Sequence, residues 1–435
     1  MKSADLAVLN CENLITCKGP IPKRKQALGE IGLLKKTTVA SSRGKIVFIG
    51  NEQDFNKEFK LEKNSIIIDG QGFTGLPGFV DSHTHLPFSG TREKEFALRL
   101  QGYTYQQLAA QGMGIQTTVQ ATRDTSLNNL VEMSLSRLDN MLLHGTTTVE
   151  AKSGYGLNLE DEIKQLRVLQ ECNRLHPADI IPTFMGAHEV PLDFKDRKKE
   201  YIDFIIQTVL PEVTKNKLAE FFDVFCEKDV YSVEDTRALA QAAQAAGLKV
   251  KIHADEFSSL GGAQLAAEIG AISAEHLVHI SEEGIQKIAR SSTAAILLPG
   301  VPFFLKMDRH APARRLIDQG AVVAIATDFN PGSSMTENML FILQLAVLTM
   351  GLNIEEAIQA ATANAAYAVS RDREIGSLET GKKMDLILCD VPNYYHLVYH
   401  LGINPVKHVI KDGKIVVSKG QVLKHNQSHN PSFSL

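Results

Sequence analysis

His83 and His85 stand two residues apart in Gly78-Phe79-Val80-Asp81-Ser82-His83-Thr84-His85. On an extended strand that spacing puts both imidazoles on one face, whereas on a helix it points them about 200° apart. A lone His-x-His pair is weak evidence, because two surface histidines produce it by chance. The other expected strand ends add to it: Gly186-Ala187-His188-Glu189, His253-Ala254-Asp255-Glu256, Ala274-Glu275-His276 and Thr327-Asp328-Phe329-Asn330. Five of the fourteen histidines therefore fall at strand ends, with an aspartate at the last one. Two or three imidazoles plus a carboxylate form a borderline-soft N/O set that suits zinc or iron better than magnesium or calcium. An ion held with an open position lowers the pKa of bound water towards neutrality and supplies hydroxide at pH 7. A proton must then pass from the water to a leaving nitrogen, and Glu256 and His276 are the candidate acid/base groups. His144, His176, His396, His400, His408, His425 and His429 fall on helices or terminal loops and read as structural.

Residues so scattered in sequence need a frame that gathers strand ends. Between about residues 76 and 380, apolar β-branched runs alternate with longer stretches of helical period, which indicates βα units and a parallel sheet. Eight strands are expected to end near Asp81-Ser82-His83, Val149-Glu150, Met185-Gly186, Phe225-Cys226, Ile252-His253, Ser273-Ala274, Leu297-Leu298 and Thr327-Asp328. Helices are expected over Leu130–Leu143, Asp161–Leu175, Val233–Ala246, Gly262–Ile269 and Ala311–Gln319. Eight such repeats fit a closed (β/α)8 barrel, in which chemistry collects at the C-terminal ends of the strands. His253 shares strand parity with Lys249 and Lys251, while Leu248, Val250 and Ile252 take the other face. The apolar set faces the helices, so His253 faces the barrel mouth. An open doubly wound sheet is the rival, but no GxGxxG opens a helix after an early strand.

Both termini read as short strands and turns. Leu6-Ala7-Val8-Leu9, Leu14-Ile15-Thr16, Thr38-Val39-Ala40, Ile46–Ile49 and Ile66–Ile68 lie at one end. Asp385–Leu388, His408–Ile410 and Ile415–Val417 lie at the other, the last two joined by a Lys411-Asp412-Gly413 hairpin signal. The expected organisation is an α/β chain: a TIM-type (β/α)8 barrel (76–380) with a small β-sandwich built from both termini (1–75 and 381–424) and a polar tail (425–435). The loop from Lys18 to Leu34 has no assigned role.

The 435 residues, 44% hydrophobic and 22% charged, are enough for a sizeable core without disulfides. A net charge of −4 provides no field for nucleic acid or an anionic membrane, and the runs Lys23-Arg24-Lys25 and Arg197-Lys198-Lys199 read as solvated faces. Five scattered cysteines without a CxxC favour a reducing compartment and argue against a zinc ribbon. No apolar run approaches the roughly 18 residues of a membrane span, and the first residues lack a signal-peptide core. A cytoplasmic protein with a small-molecule substrate is expected, with no nucleic-acid or membrane partner and a homodimer as the assumed assembly.

Gly78–His85 with His253, His276 and Asp328 resembles the amidohydrolase superfamily pattern. More specifically, several segments are similar to the imidazolonepropionase family. They are Arg92-Glu93 with Phe96, Arg99–Tyr105, Ser153-Gly154-Tyr155-Gly156-Leu157, Gly186–Pro191, His253–Glu256, Ser273–Leu277 and Thr327–Ser333. The likeness runs from about Leu6 to about Leu423. It implies a (β/α)8 barrel, one Zn2+ or Fe3+ ion per subunit, and hydrolysis of 4-imidazolone-5-propanoate to N-formimidoyl-L-glutamate in L-histidine degradation. By the resemblance His83, His85, His253 and Asp328 are metal ligands, and Glu256 and His276 take acid/base roles; Asp328, beside the water as it binds the metal, is also a candidate to take its proton. Arg92, Tyr105, Tyr155, His188, Glu256, Asn330, Gly332 and Ser333 hold substrate. A propanoate needs a cation, and the Arg92 guanidinium can grip it through two hydrogen bonds. The family often has Thr in place of Ser333, which keeps the hydroxyl, and some members carry Gln in place of Glu256, which cannot take a proton. Strand four ends in Cys226-Glu227-Lys228, with no carboxylated-lysine bridge for a second ion, so one metal is expected. The alternative is another amidohydrolase-superfamily deaminase or cyclic amidase acting on a small heterocycle.

Overall fold

The structure, a computed structural model, describes residues 1–103, 107 and 112–423. At the N-terminus lie β1 (Lys2–Ile15), β2 (Leu33–Ser42), β3 (Lys45–Gly50), β4 (Phe59–Asp69) and β5 (Thr74–Pro77). The two apolar runs at Leu6 and Leu14 belong to one strand. The turn-like polar residues between them are absorbed by a register slip between Val8 and Cys11, with Asn10 left-handed at φ 51°. A β-bulge of this kind keeps pairing on both sides while adding a residue.

The barrel strands follow as β6 (Phe79–Thr84), β7 (Thr146–Lys152), β8 (Asp179–Ala187), β9 (Phe221–Cys226), β10 (Lys249–Ala254), β11 (Ser273–His276), β12 (Ala294–Leu297) and β13 (Val322–Ile325). The chain returns through β14 (Leu386–Cys389), β15 (Val406–Lys411), β16 (Lys414–Ser418) and β17 (Gln421–Val422).

The terminal strands form one nine-stranded sheet in the order β17-β16-β15-β14-β5-β1-β2-β3, with β4 also paired to β1. One apolar cluster draws Leu6, Val8, Leu14, Val39 and Ile46 from the first part of the chain and Leu386, Leu388 and Ile410 from the last. The Asp412-Gly413 turn takes the positive φ values of a tight hairpin, 49° and 69°. The 18–34 stretch carries a short 3-10 helix, Lys25–Gly29. It is tied to later helices by Gln359 Nε2 on the Ala27 and Glu30 carbonyls and by Asn364 Oδ1 on the Lys23 amide.

The eight barrel strands run parallel in chain order from β6 to β13. Closure lies just beyond the strand ends: Asp328 N–H donates to the His83 carbonyl and His85 N–H to the Phe329 carbonyl, each at 3.0 Å. β6, β7, β11, β12 and β13 are buried along their whole length, as expected for parallel strands covered on both faces. The five expected helices are present within a few residues, at Leu127–Leu143, Leu159–Leu175, Val233–Ala245, Gly262–Glu268 and Ala313–Gln319. Their starts are fixed by side chains: Asn158 accepts from Asp161 N–H, and Ser232 and Asp235 form a capping box.

By compactness the chain divides into two units. One comprises Met1–Ser82, Asp139–Thr148 and Asn338–Leu435; the other comprises His83–Leu138 and Val149–Glu337. The histidines at the strand ends, His83, His85, His188, His253 and His276, and Asp328 all belong to the second. No helix among the described residues is long and apolar enough to cross a membrane.

Candidate metal centre

Two strand ends bring imidazole nitrogens together around a carboxylate from a third. His83 and His85 come from the end of β6, His253 from β10, and Asp328 from the turn after β13. Asp328 Oδ1 lies 3.2 Å from both His83 Nε2 and His85 Nε2, and His253 Nε2 lies 3.3 Å from His85 Nε2. Asp328 holds a left-handed backbone, φ 50°, which turns its side chain back over the strand ends. All four are buried.

These separations fit a cation. Zinc–nitrogen and zinc–oxygen bonds are about 2.0–2.1 Å, and a tetrahedron of that radius has edges of about 3.3–3.4 Å. Two Nε2 atoms facing each other at 3.3 Å hold at most one proton between them, so a shared cation satisfies both lone pairs better. Among the described residues, three groups of His, Asp and Glu have ligand atoms within 4.8 Å of one another, and His83 belongs to all three.

The electrostatics point the same way. Burial favours the neutral form of His83, but Glu275 and Asp328 together outweigh it and raise the imidazole to about 9. Burial takes His85 down to about 4 and His253 well below its usual range. Asp328 stays well below the usual carboxylate range in spite of burial, because His83 and His85 hydrogen-bond to it. A cluster that keeps its carboxylate charged and two imidazoles neutral presents lone pairs and negative charge to an ion.

His276, at the end of β11, has a ring centroid 5.1 Å from that of His253, and neither of its nitrogens has a hydrogen-bond partner among the described residues. Its Nδ1 is 3.4 Å from Glu256 Oε1, and burial lowers it to about 3. Burial, with Asp328 and Glu227 adding their charge, pushes the Glu256 carboxyl well above its usual range, which keeps a proton on it. Its loop is held from both sides. Asp255 accepts the amides of Leu260, Gly261, Gly262 and Ala263, while Glu227 accepts those of Phe257 and Ser258 together with the Ser258 hydroxyl.

His188 Nδ1 lies 3.0 Å from the Gly154 carbonyl, so it carries the proton and leaves Nε2 free to accept. Its ring stacks on His85 at 4.9 Å, and burial holds it neutral, near 3. Tyr155 packs beside it at 5.2 Å, its backbone fixed by the Gln165 side chain, and burial raises its hydroxyl. Arg92 is gripped by Glu95 through Nε at 2.8 Å and Nη2 at 2.6 Å.

Asn330 spends its side chain within its own turn, accepting the Gly332 and Ser333 amides and donating to the Asp328 carbonyl and Ser333 hydroxyl. Ser333 Oγ in turn lies 3.4 Å from Asp328 Oδ2. A Cβ at Gly332 would overlap the Arg92 guanidinium, so glycine is what lets the two approach. Tyr105 lies outside the described residues.

Beneath the imidazoles are Glu150, Lys152, Asp223 and Glu275, to which the sequence assigns no role, and Lys251, which strand parity places inward; all are fully buried. The available signal was polar residues at strand parity, as in Lys249, Lys251 and His253. Lys251 turns inward to Glu275, whereas Lys249 is exposed.

Residues 74–416 match the amidohydrolase family. Imidazolonepropionases from Alkaliphilus metalliredigens and Symbiobacterium thermophilum are each 46% identical to this chain, over 96% and 97% of it and 99% of their own length. One from Treponema denticola is 50% identical over 83% of this chain and 87% of its own. Among solved structures, a zinc-bound adenosine deaminase from Xanthomonas campestris (TM-score 0.68, 18% identity) covers 97% of this chain and 95% of its own. A triazine hydrolase variant (TM-score 0.73, 17% identity) covers 96% of each. These two share the fold.

Proposed function

The chain belongs to the amidohydrolase family and, within it, to the imidazolonepropionases, and from that membership we propose that it hydrolyses the cyclic amide bond of 4-imidazolone-5-propanoate to give N-formimidoyl-L-glutamate. It is a hydrolase of C–N bonds in cyclic amides. The observation that carries the reading is a family likeness running through almost the whole chain, with a cation-shaped cluster at the barrel mouth.

We assign a single Zn2+ or Fe3+ ion to His83, His85, His253 and Asp328. When bound, it supplies Lewis acidity and a water acidic enough to attack at neutral pH. The substrate's propanoate goes to Arg92, whose guanidinium Glu95 already orients, and the ring lies on the side of the cluster lined by Tyr155 and the Nε2 edge of His188. Asn330, Gly332 and Ser333 complete the rim, with Asn330 acting through the shape of its turn, and the family likeness assigns Tyr105 to substrate binding as well.

In the reaction the water oxygen bonds to the ring carbonyl carbon, the C–N bond breaks, and the nitrogen leaves with the electron pair. Asp328 Oδ2, the oxygen not facing His83 and His85, takes the proton from water. Glu256, kept protonated by burial, gives one to the leaving nitrogen. The neutral His276 donates an N–H to the carbonyl oxygen as it gains charge. Five buried free cysteines support a reducing, cytoplasmic setting.

The test is turnover of freshly prepared imidazolone propanoate by purified protein, followed as formimidoylglutamate. Turnover abolished by chelation and restored by metal is the expected result. A folded, metal-containing protein that leaves this substrate untouched while deaminating or opening another heterocycle would overturn the assignment.

A further inference from the structure

A closed set of charges lies under the imidazoles, and the chemistry above does not use it. Lys152, the last residue of β7, places its ammonium 2.9 Å from both oxygens of Glu150, 2.9 Å from Asp223 Oδ2 and 3.7 Å from Glu275 Oε2. Lys251 Nζ is 2.8 Å from Glu275 Oε1. None of these side chains has any exposed surface. Three carboxylates from three barrel strands therefore converge on the Lys152 ammonium: Glu150 of β7, Asp223 of β9 and Glu275 of β11.

Those same two carboxylates reach the far sides of the ligand rings. Glu275 Oε2 lies 2.7 Å from His83 Nδ1, and Asp223 Oδ1 lies 3.1 Å from His253 Nδ1. A carboxylate at one nitrogen of an imidazole fixes the proton there and leaves the other nitrogen to offer its lone pair. Glu150, Asp223 and Glu275 meet in a dry interior, where like charges repel strongly unless a cation stands among them. The Lys152 ammonium is within reach of all three.

We infer that Lys152 is a positioning residue for the metal centre. It acts through Glu275 and Asp223, holding them together so that His83 and His253 keep their Nδ1 sides engaged and their Nε2 lone pairs on the ion. The inference rests on the assignment of His83 and His253 as ligands. The competing account is a buried charge plug that only fills the barrel, in which case metal binding is indifferent to it once the protein folds.

The experiment compares the wild type with Lys152→Met and with Lys152→Met combined with Glu150→Gln, which removes one charge of each sign and so spares the fold an unbalanced carboxylate. Each protein is stripped of metal, its fold is checked by circular dichroism, and Zn2+ affinity is measured by competition with a chromophoric chelator. The visible spectrum of the Co2+-substituted form reports ligand geometry.

We expect both variants to lose about 10- to 100-fold in Zn2+ affinity and to show an altered Co2+ spectrum. Charge balance restores the fold but cannot re-bridge Asp223 and Glu275. Wild-type affinity and spectrum in either folded variant overturns the inference, as does a double variant that still cannot fold, since that is the behaviour of a structural plug. A His83→Ala control that leaves metal content unchanged removes the ligand assignment instead, a distinct result from an effect missing at Lys152 alone.

Discussion

Glu95 holds the Arg92 guanidinium by two hydrogen bonds, 2.6 and 2.8 Å long, from one turn further along the helix Glu93–Leu100. The pair fixes the plane of the guanidinium and leaves its remaining N–H edge for a carboxylate beside Gly332. Arg92→Ala is expected to lower kcat/KM by roughly 10- to 150-fold, the effect of losing a charged hydrogen bond of about 1.5–3 kcal/mol. Most of it should appear in KM, because the propanoate is not part of the bond that breaks. Arg92→Lys should recover little, since an ammonium lacks the fork. Steady-state kinetics on imidazolone propanoate decide it, and an unchanged KM in Arg92→Ala places the anchor elsewhere.

Gly332→Ala tests the same corner from the other side. Its methyl displaces the guanidinium rather than removing it, so KM should rise about tenfold with thermal stability lowered by about 1–3 kcal/mol at most. Equal KM values for Gly332→Ala and wild type would mean that Arg92 does not work from this position.

Chelation should abolish turnover, and one equivalent of metal per chain should restore it, as read by elemental analysis alongside activity. His85→Ala should bind metal at least 100-fold more weakly, since it removes one of four ligands. A second tightly held equivalent in the wild type contradicts the single-ion reading.

Glu227 organises the turn that carries Glu256 without belonging to the ligand cluster. Glu227→Gln loses a charged acceptor for two amides and a hydroxyl. The expected outcome is a fall in kcat of tenfold or more at unchanged metal content. A parallel loss of metal would show that the turn supports the ligands rather than the acid.

His276 gives a pH signature in the metal-free protein. Its folded-state value is about 3, against about 6.5 in an unfolded chain, so below pH 6.5 the unfolded state takes up the proton first. Stability from this group is therefore complete above 6.5 and lost as pH falls towards 3. Between pH 7.5 and 5, wild type should lose about 2 kcal/mol more than His276→Gln. Urea unfolding at the two pH values checks it, and curves that fall in parallel contradict it.

The barrel was legible because its strands and helices differ in period and because polar residues gather where strands stop. The His-x-His parity, the inward row ending at His253 and the turn residues after Thr327 all survive translation into one dimension. The charges beneath the site do not. Asp223 stands beside Lys251, and Glu275 beside His253, only through the parallel registers of β9, β10 and β11. Those registers depend on barrel closure and carry no local signature. The Arg92–Glu95 pair was readable from i,i+3 spacing but competes with every other such pair on a helix surface. At β1, polar residues that usually end a strand were absorbed by a bulge, a choice made by the neighbouring strands.

The backbone bonds that close the barrel join Asp328 to His83 and His85 to Phe329, and three of those four residues are assigned to the ion. A cation gripping their side chains acts as a rivet across the seam between first and last strand. Metal occupancy and seam opening are then one equilibrium seen from two sides. Amide hydrogen exchange at Asp328 and His85 becomes a gauge of occupancy, slow in the charged protein and quickened by a chelator well before the rest of the barrel lets go.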